Sequence, residues 1–221
     1  PIVSDIYREN RPGGASNVAL NIKAMGAIPI ICSVIGDDSK GKEFIDILKA
    51  LSLSDIGIII EKNRETSRKT RIISGNQQLL RVDEETCDYI NSDSEKQLLE
   101  FATQLTVDKK VNSIIFQDYD KGVITPNLIK QIVNIANKKD IPVLTDPKKR
   151  HFLNYENTSL FKPNFKELND GLKMDLNKKD IESIIAAMEK LRKLKNHKLI
   201  MLTLSEMGII INDNGKYHHI P

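Results

Sequence analysis

RPGGASNVALNIKAMGAIPIICSVI, residues 11–35, runs from a paired glycine into a small-residue helix and on into an apolar strand, and that order decides the fold. Gly13 and Gly14 reach backbone angles closed to other residues and leave bare peptide for a ligand to approach. Asn17 falls in the first turn of the helix, its amide beside exposed N–H groups, a cradle for a polyhydroxylated ligand. The same letters also read as an ordinary tight turn before a helix. Ala15, Val18, Ala19, Ile22 and Met25 make one helical face. Residues 28–35, broken by Pro29 and Ser33, fit a buried strand.

The alternation continues outward. Phe44, Ile47, Leu48 and Leu51 mark the next helix, and 111–116 is a second buried strand. Leu128, Ile129, Ile132, Val133 and Ala136 form a helical stripe, followed by a strand at 141–144 that ends in Thr145-Asp146-Pro147. The longest stripe is Ile181, Ile184, Ile185, Met188, Leu191 and Leu194, and 199–204 is a further strand. Strands alternating with helices imply an α/β fold, a mainly parallel sheet flanked by helices on both faces.

Residues 56–83 break the rhythm. The short runs 58–61, 69–74 and 79–83 have β character, with a turn signal at Gly75-Asn76 and no helix between them. The expectation is a small antiparallel sheet, a lid of about residues 56–84, with 1–12 contributing an edge strand. Both ends read as truncated: no main-sheet strand precedes the glycine pair, and the chain stops within a strand at 216–221.

The 221 residues suffice for one α/β domain, 1–221, with a small appendage. A net charge of +3, no Trp and few aromatics argue against nucleic acid as partner. No apolar run approaches the roughly 20 residues of a membrane span. Cys32 and Cys87 form no metal-spacing motif, and a reducing, cytoplasmic setting is expected. His218 and His219 would face opposite sides of a strand, so no histidine is assigned to chemistry.

Polar residues cluster where parallel strands end, the usual place of α/β ligand sites. Asp118 and Lys121 follow one strand; Asp146 and Lys148 follow the next. Pro163 and Asn164 start a helix, with Glu167 three residues on. This spacing reads as a capping box, or as oxygen ligands that hold Mg²⁺ through waters; spacing alone favours the box. Thr203 closes a strand before the turn at Gly208, where a hydroxyl can meet a phosphate or its own turn.

Taken together these residues resemble the ribokinase-like (PfkB) carbohydrate kinases. The matching stretches are 13–19, Gly36-Asp37-Asp38 with Gly41, and Asn164 with Glu167 as Asn-x-x-Glu. Lys69-Thr70-Arg71, residues 76–83, Asp118-Tyr119 with Lys121-Gly122, and Asp146-Pro147-Lys148 are similar to the branch that acts on heptose 7-phosphates. The resemblance implies a ribokinase-like fold and ATP-dependent phosphorylation of the anomeric hydroxyl of D-glycero-D-manno-heptose 7-phosphate, toward lipopolysaccharide. It implies that Gly13, Gly14, Asn17, Asp118 and Lys121 bind the sugar, and that Lys69, Arg71 and Gln78 reach it from the lid. It implies that Lys148, Asn164, Phe165, Lys166, Glu167, Thr203 and Gly208 serve the nucleotide, with Glu167 holding Mg²⁺ through water. A homodimer through the lid follows from the same likeness.

The resemblance departs at both ends. The family's Gly-Ala-Gly-Asp segment, with the aspartate that activates the acceptor, is expected beyond Pro221, so the chain alone is expected to be inactive. Two alternatives stand beside the heptose reading: another PfkB-type sugar or nucleoside kinase, and a catalytically silent sugar- or nucleotide-binding module.

Overall fold

The computed structural model describes residues 6–108 and 110–221. Two units divide the chain at residues 86 and 87.

In the first unit, α1 (Gly14–Ala24) follows the glycine pair. β1 (Ser33–Gly36), α2 (Ser39–Ala50) and β2 (Ile58–Glu61) form a crossover whose strands pair in parallel, Ser33 opposite Ile58 and Gly36 opposite Glu61. Asp38 starts α2 by accepting the Gly41 N–H at 2.7 Å. Ala19, Ile31, Leu48 and Leu53 are the core, with Leu20, Phe44 and Ile58 against it. β3 (Arg68–Ser74) and β4 (Gln77–Glu84) make an antiparallel hairpin turned at Gly75.

Three expectations are corrected here. Residues 58–61 do not join the small antiparallel sheet: α2 stands between them and β1, which makes them the parallel partner of β1. The antiparallel hairpin spans 68–84 rather than 56–84. Residues 6–12 contribute no strand to it, and 1–5 lie outside the described residues. The strand expected over 28–35 is paired as β1 only from Ser33, with a lone bridge from Ile30 to Ser54. Pro29 has no N–H to give a ladder, and Ile28 is 93% exposed.

The second unit contains α3 (Ser92–Val107), β5 (Ile114–Gln117), α4 (Pro126–Lys138), β6 (Val143–Asp146), β7 (Leu160–Phe161), α5 (Phe165–Leu172), α6 (Ile181–Lys195), β8 (Leu199–Thr203), β9 (Ile209–Asp213) and β10 (Lys216–Ile220). Its six-stranded sheet runs β10-β9-β8-β7-β6-β5. β5 to β8 pair in parallel and β8 to β10 antiparallel. α4 starts at Thr125, whose hydroxyl accepts the Leu128 N–H at 3.1 Å, with Pro126 in the first turn. Its expected stripe is buried in full. In α6 the stripe holds at Ile184, Met188 and Leu191, but Leu194 is exposed, two residues before the left-handed Asn196 that ends the helix. β7 was not expected; two residues are too few for a periodic signal. Phe152, Tyr155 and Phe161 are fully buried, and Phe152 meets Phe161 edge-on at 5.1 Å. Among the described residues no helix is long and apolar enough to cross a membrane.

Candidate active site

The first unit carries six of the eight residues expected to bind the sugar, all but Asp118 and Lys121. Gly13 is extended and caps α1 with no side-chain bond, while Gly14 takes φ +55°, a left-handed angle that suits glycine. No heavy atom other than its chain neighbours lies within 4 Å of where a Gly13 Cβ would be, and Asn17 is exposed. The start of α1 is thus open backbone. On the hairpin, Lys69 pairs with Asp83 at 2.8 Å and Glu85 at 2.6 Å. Those bonds, Asp83 first, raise the Lys69 ammonium above its ordinary value. Arg71 and Gln78 are exposed, and Arg71 stands directly opposite Arg81. Like charges across a ladder repel, and Arg81, which sequence reasoning did not single out as a site residue, pairs with Asp83 at 3.0 Å. The hollow lined by Ile35, Gly36, Asp38, Gly41, Lys42 and Ile60 contains none of the residues expected to bind the sugar.

The second unit gathers its polar groups at the carboxyl ends of β5, β6 and β8. Asn164 and Glu167 form the capping box: Asn164 Oδ1 accepts the Glu167 N–H at 2.8 Å, and Glu167 Oε2 accepts the Asn164 N–H at 2.9 Å. Lys148 Nζ donates to Glu167 Oε1. Burial alone would lower the Lys148 ammonium, but Glu167, with Asp146 and Asp118 nearby, holds it above its ordinary value. Thr203 is brought alongside, bridged to Asn164 and donating its N–H to Pro163 O at 3.2 Å. Lys166 is exposed and Phe165 half-buried on the first turn of α5. Gly208 takes φ +80° and accepts the Leu204 N–H at 2.8 Å, closing the turn after β8.

Asp146 is held by Gln117 Nε2 at 3.1 Å and by Lys162 at 3.1 Å. Asp118 differs from the expectation of a sugar ligand on an open edge. It is 1% exposed, and its carboxylate accepts from His151 Nδ1 at 3.0 Å, Tyr155 OH at 3.2 Å and the Asp120 N–H at 2.7 Å. Sequence reasoning missed His151, Tyr155 and Tyr89, whose hydroxyl meets His151 Nε2 at 3.0 Å. No local spacing links them, since contacts 33 to 62 residues apart assemble the group.

Mg²⁺ takes few protein carboxylates and keeps several waters. Among the described residues no three carboxylate, His or Cys side chains cluster as metal ligands. Each Glu167 oxygen has one protein donor, and a carboxylate offers about four lone-pair sites. Room therefore remains to accept from metal-bound water, and Glu167 fits such a role.

The pfkB family carbohydrate kinase model matches residues 6–221. The chain is 39% identical over 203 residues to the bifunctional protein HldE of Aliarcobacter butzleri, covering 92% of this chain and 42% of that protein. It is 37% identical over 220 residues to HldE of Helicobacter pylori strain G27, covering 99% and 47%. The chain thus spans about half the length of the curated relatives it matches. The fold is similar to the tetrameric inhibited form of Escherichia coli phosphofructokinase-2, with TM-score 0.73, 17% identity, and 97% and 72% of the two chains covered. It is also similar to that enzyme in complex with fructose-6-phosphate, with TM-score 0.71, 18% identity, and 97% and 73% covered. The ribokinase-like α/β fold expected from the sequence is the fold observed, and the chain belongs to the pfkB family of carbohydrate kinases.

Proposed function

We propose that this chain serves ATP-dependent phosphorylation of the anomeric hydroxyl of D-glycero-D-manno-heptose 7-phosphate, a step toward ADP-heptose for lipopolysaccharide. The observation that carries a kinase reading is the Lys148–Glu167 pair at the start of α5, beside Thr203. A cation, a carboxylate and a helix N-terminus at the ends of parallel strands are what phosphoryl transfer requires, since it depends on positioning and charge neutralisation. The choice of heptose is supported by 36–39% identity to HldE proteins over 92–99% of the chain.

In this reading ATP supplies the phosphoryl group, and Mg²⁺ neutralises its phosphates when bound. Lys148, Lys166 and the first N–H groups of α5 hold nucleotide phosphates, Phe165, Thr203 and Gly208 border the nucleotide, and Glu167 orients metal-bound water. The open backbone at Gly13 and Gly14, with Asn17, takes sugar hydroxyls. Lys69, Arg71 and Gln78 reach the sugar phosphate from the hairpin, whose closure would exclude the water that competes as acceptor. Lys121 joins the sugar site, and Asp118 acts by holding His151 rather than by touching substrate. No residue of 1–221 is assigned as the base. Domain organisation is read as one kinase domain with a hairpin lid.

The test is ADP release by the full-length protein against a panel of heptose 7-phosphate, fructose 6-phosphate, ribose and nucleosides. Turnover confined to the heptose supports the proposal. A different preferred acceptor replaces heptose while keeping the kinase. Binding without turnover moves the protein to a silent sugar- or nucleotide-binding module.

A further inference from the structure

The two ends of the hairpin set different registers. At the tip, the two-residue turn at Gly75 and Asn76 puts Ser74 opposite Gln77 and Ile73 opposite Gln78. At the root, Arg68 stands opposite Glu84, Lys69 opposite Asp83 and Arg71 opposite Arg81. The registers differ by one residue, and Leu79 takes up the difference. Ile72 faces Leu80, Ile73 faces Gln78, and Leu79 is the extra residue of a β-bulge.

β3 is unbroken, so Lys69, Arg71 and Ile73 share one face and Arg68, Thr70 and Ile72 the other. The contacts follow this division. Lys69 and Arg81 both meet Asp83 on the first face, at 2.8 and 3.0 Å. Arg68 meets Glu84 and the Thr70 hydroxyl on the second, both at 3.3 Å. The second face is tied to α2, where Lys40 pairs with Glu84 at 2.7 Å. Accordingly Arg68, Thr70 and Ile72 are half-buried, whereas Lys69, Arg71 and Ile73 are exposed. In an unbroken strand Gln78 and Arg81, three residues apart, would point opposite ways. The bulge cancels that alternation and sets Gln78 on the exposed face with Lys69, Arg71 and Arg81.

We infer that the bulge at Leu79 is a positioning device for substrate recognition: it turns the Gln78 amide onto the face of Lys69 and Arg71, so that one phosphorylated sugar meets amide and cations from the same side of the hairpin. This rests on the sugar-kinase reading, which assigns those three residues to the sugar. Bulges re-aim single side chains beside binding sites, and two adjacent glutamines mark the effect here. Gln78 lies on the face of Arg71, and Gln77, opposite Ser74, lies on the other. An amide both donates and accepts, so Gln78 suits a hydroxyl and a phosphate oxygen alike. A carboxylate in its place would set acceptor against acceptor at the phosphate.

The test uses the full-length protein and two readouts. The first needs no activity. Ile73→Cys with Gln78→Cys is expected to close a cross-strand disulfide on mild oxidation, read by peptide mass mapping, because residues directly opposite lie within disulfide reach. Ser74→Cys with Gln78→Cys, the pair an unbroken ladder would set opposite, is expected to stay open. The reverse pattern overturns the inference. The second readout places the same charge on either face. Gln78→Glu is expected to raise KM for heptose 7-phosphate roughly tenfold or more, and Gln77→Glu by less than about threefold. The ATP KM, kcat and thermal midpoint are expected to stay unchanged in both. Equal sugar KM values in the two variants, a larger rise in Gln77→Glu, or a matching rise in the ATP KM overturns the inference while leaving the kinase reading intact. Wild-type protein that releases no ADP with any sugar sinks the kinase reading and this inference with it.

Discussion

Asn164 and Glu167 hold each other by two reciprocal bonds of 2.8 and 2.9 Å, and Lys148 occupies the carboxylate oxygen that the cap leaves open. The helix cap and the proposed phosphate site are therefore one object. Glu167→Gln keeps an oxygen for the cap but removes the charge that faces Lys148 and metal-bound water. A charge-assisted hydrogen bond is worth about 1.5–3 kcal/mol, so kcat is expected to fall roughly 10- to 150-fold. The thermal midpoint is expected to stay within a few degrees. Asn164→Ala should do the reverse in stability, costing about 1 kcal/mol through the lost cap. Paired melting curves and initial rates separate the two effects.

How far the site could be read in the sequence follows from the range of each interaction. Asn164 and Glu167 are three residues apart, so cap and motif were visible in the letters, as was the α4 stripe. The parallel partner of β1 was not, because β2 looks like the hairpin strands that follow it and only α2 assigns it elsewhere. Asp118 was found by its position after a strand, but its burial depends on His151 and Tyr155, which lie 33 and 37 residues away. Arg71 was found and Arg81 was not, since only the hairpin register sets them face to face.

His197 is 1% exposed, stacks on Phe161 at 4.4 Å and shares a 2.7 Å bond between its Nδ1 and the Thr158 hydroxyl. Burial first, then the nearby Lys195 charge, lowers its pKa to about 3. The folded protein thus keeps the ring neutral, while the unfolded chain takes up a proton near pH 6.5. Between those values the unfolded state binds more protons, so stability falls as pH falls. The slope from this residue is at most about 1.4 kcal/mol per pH unit. Denaturant midpoints between pH 7.5 and 5 should drop in wild type, and the slope should flatten in His197→Gln. Equal slopes would remove His197 as the cause.

Glu189 ties α6 to the antiparallel edge of the sheet. It accepts from Arg192 at 2.9 Å, from the buried Asn212 Nδ2 at 2.9 Å and from Tyr217 OH at 3.1 Å. Arg192 first, then Asn212 and Tyr217, holds the carboxyl well below the usual carboxylate range. Glu189→Ala leaves the fully buried Asn212 amide without this acceptor, a loss of about 1–3 kcal/mol. Hydrogen exchange should report it first in β9 and β10, and full protection there in the variant would count against the tie.

Arg71 and Arg81 face each other across the hairpin, and Arg81 is drawn toward Asp83 at 3.0 Å. In the proposed reading a bound phosphate would relieve repulsion across the ladder, so Arg71→Ala is expected to raise KM for a phosphorylated sugar by roughly tenfold, the scale of a charge-assisted bond. KM for ATP should not move. In the absence of substrate the same variant should be no less stable than wild type, since a like-charge pair is removed. A loss of stability with unchanged KM would make Arg71 structural.

The hairpin also exposes Ile73, Leu79, Leu80 and Val82, each at least 42% accessible. Two exposed strands with apolar side chains invite a further strand or sheet, and a second copy of this chain is the proposed occupant. Light scattering of the full-length protein is expected to give a dimer that dissociates on dilution. Leu80→Lys, at a position with no part in the proposed chemistry, should weaken it at least tenfold without lowering the thermal midpoint of the monomer. A monomer at every concentration in the wild type would leave the hairpin as a lid alone.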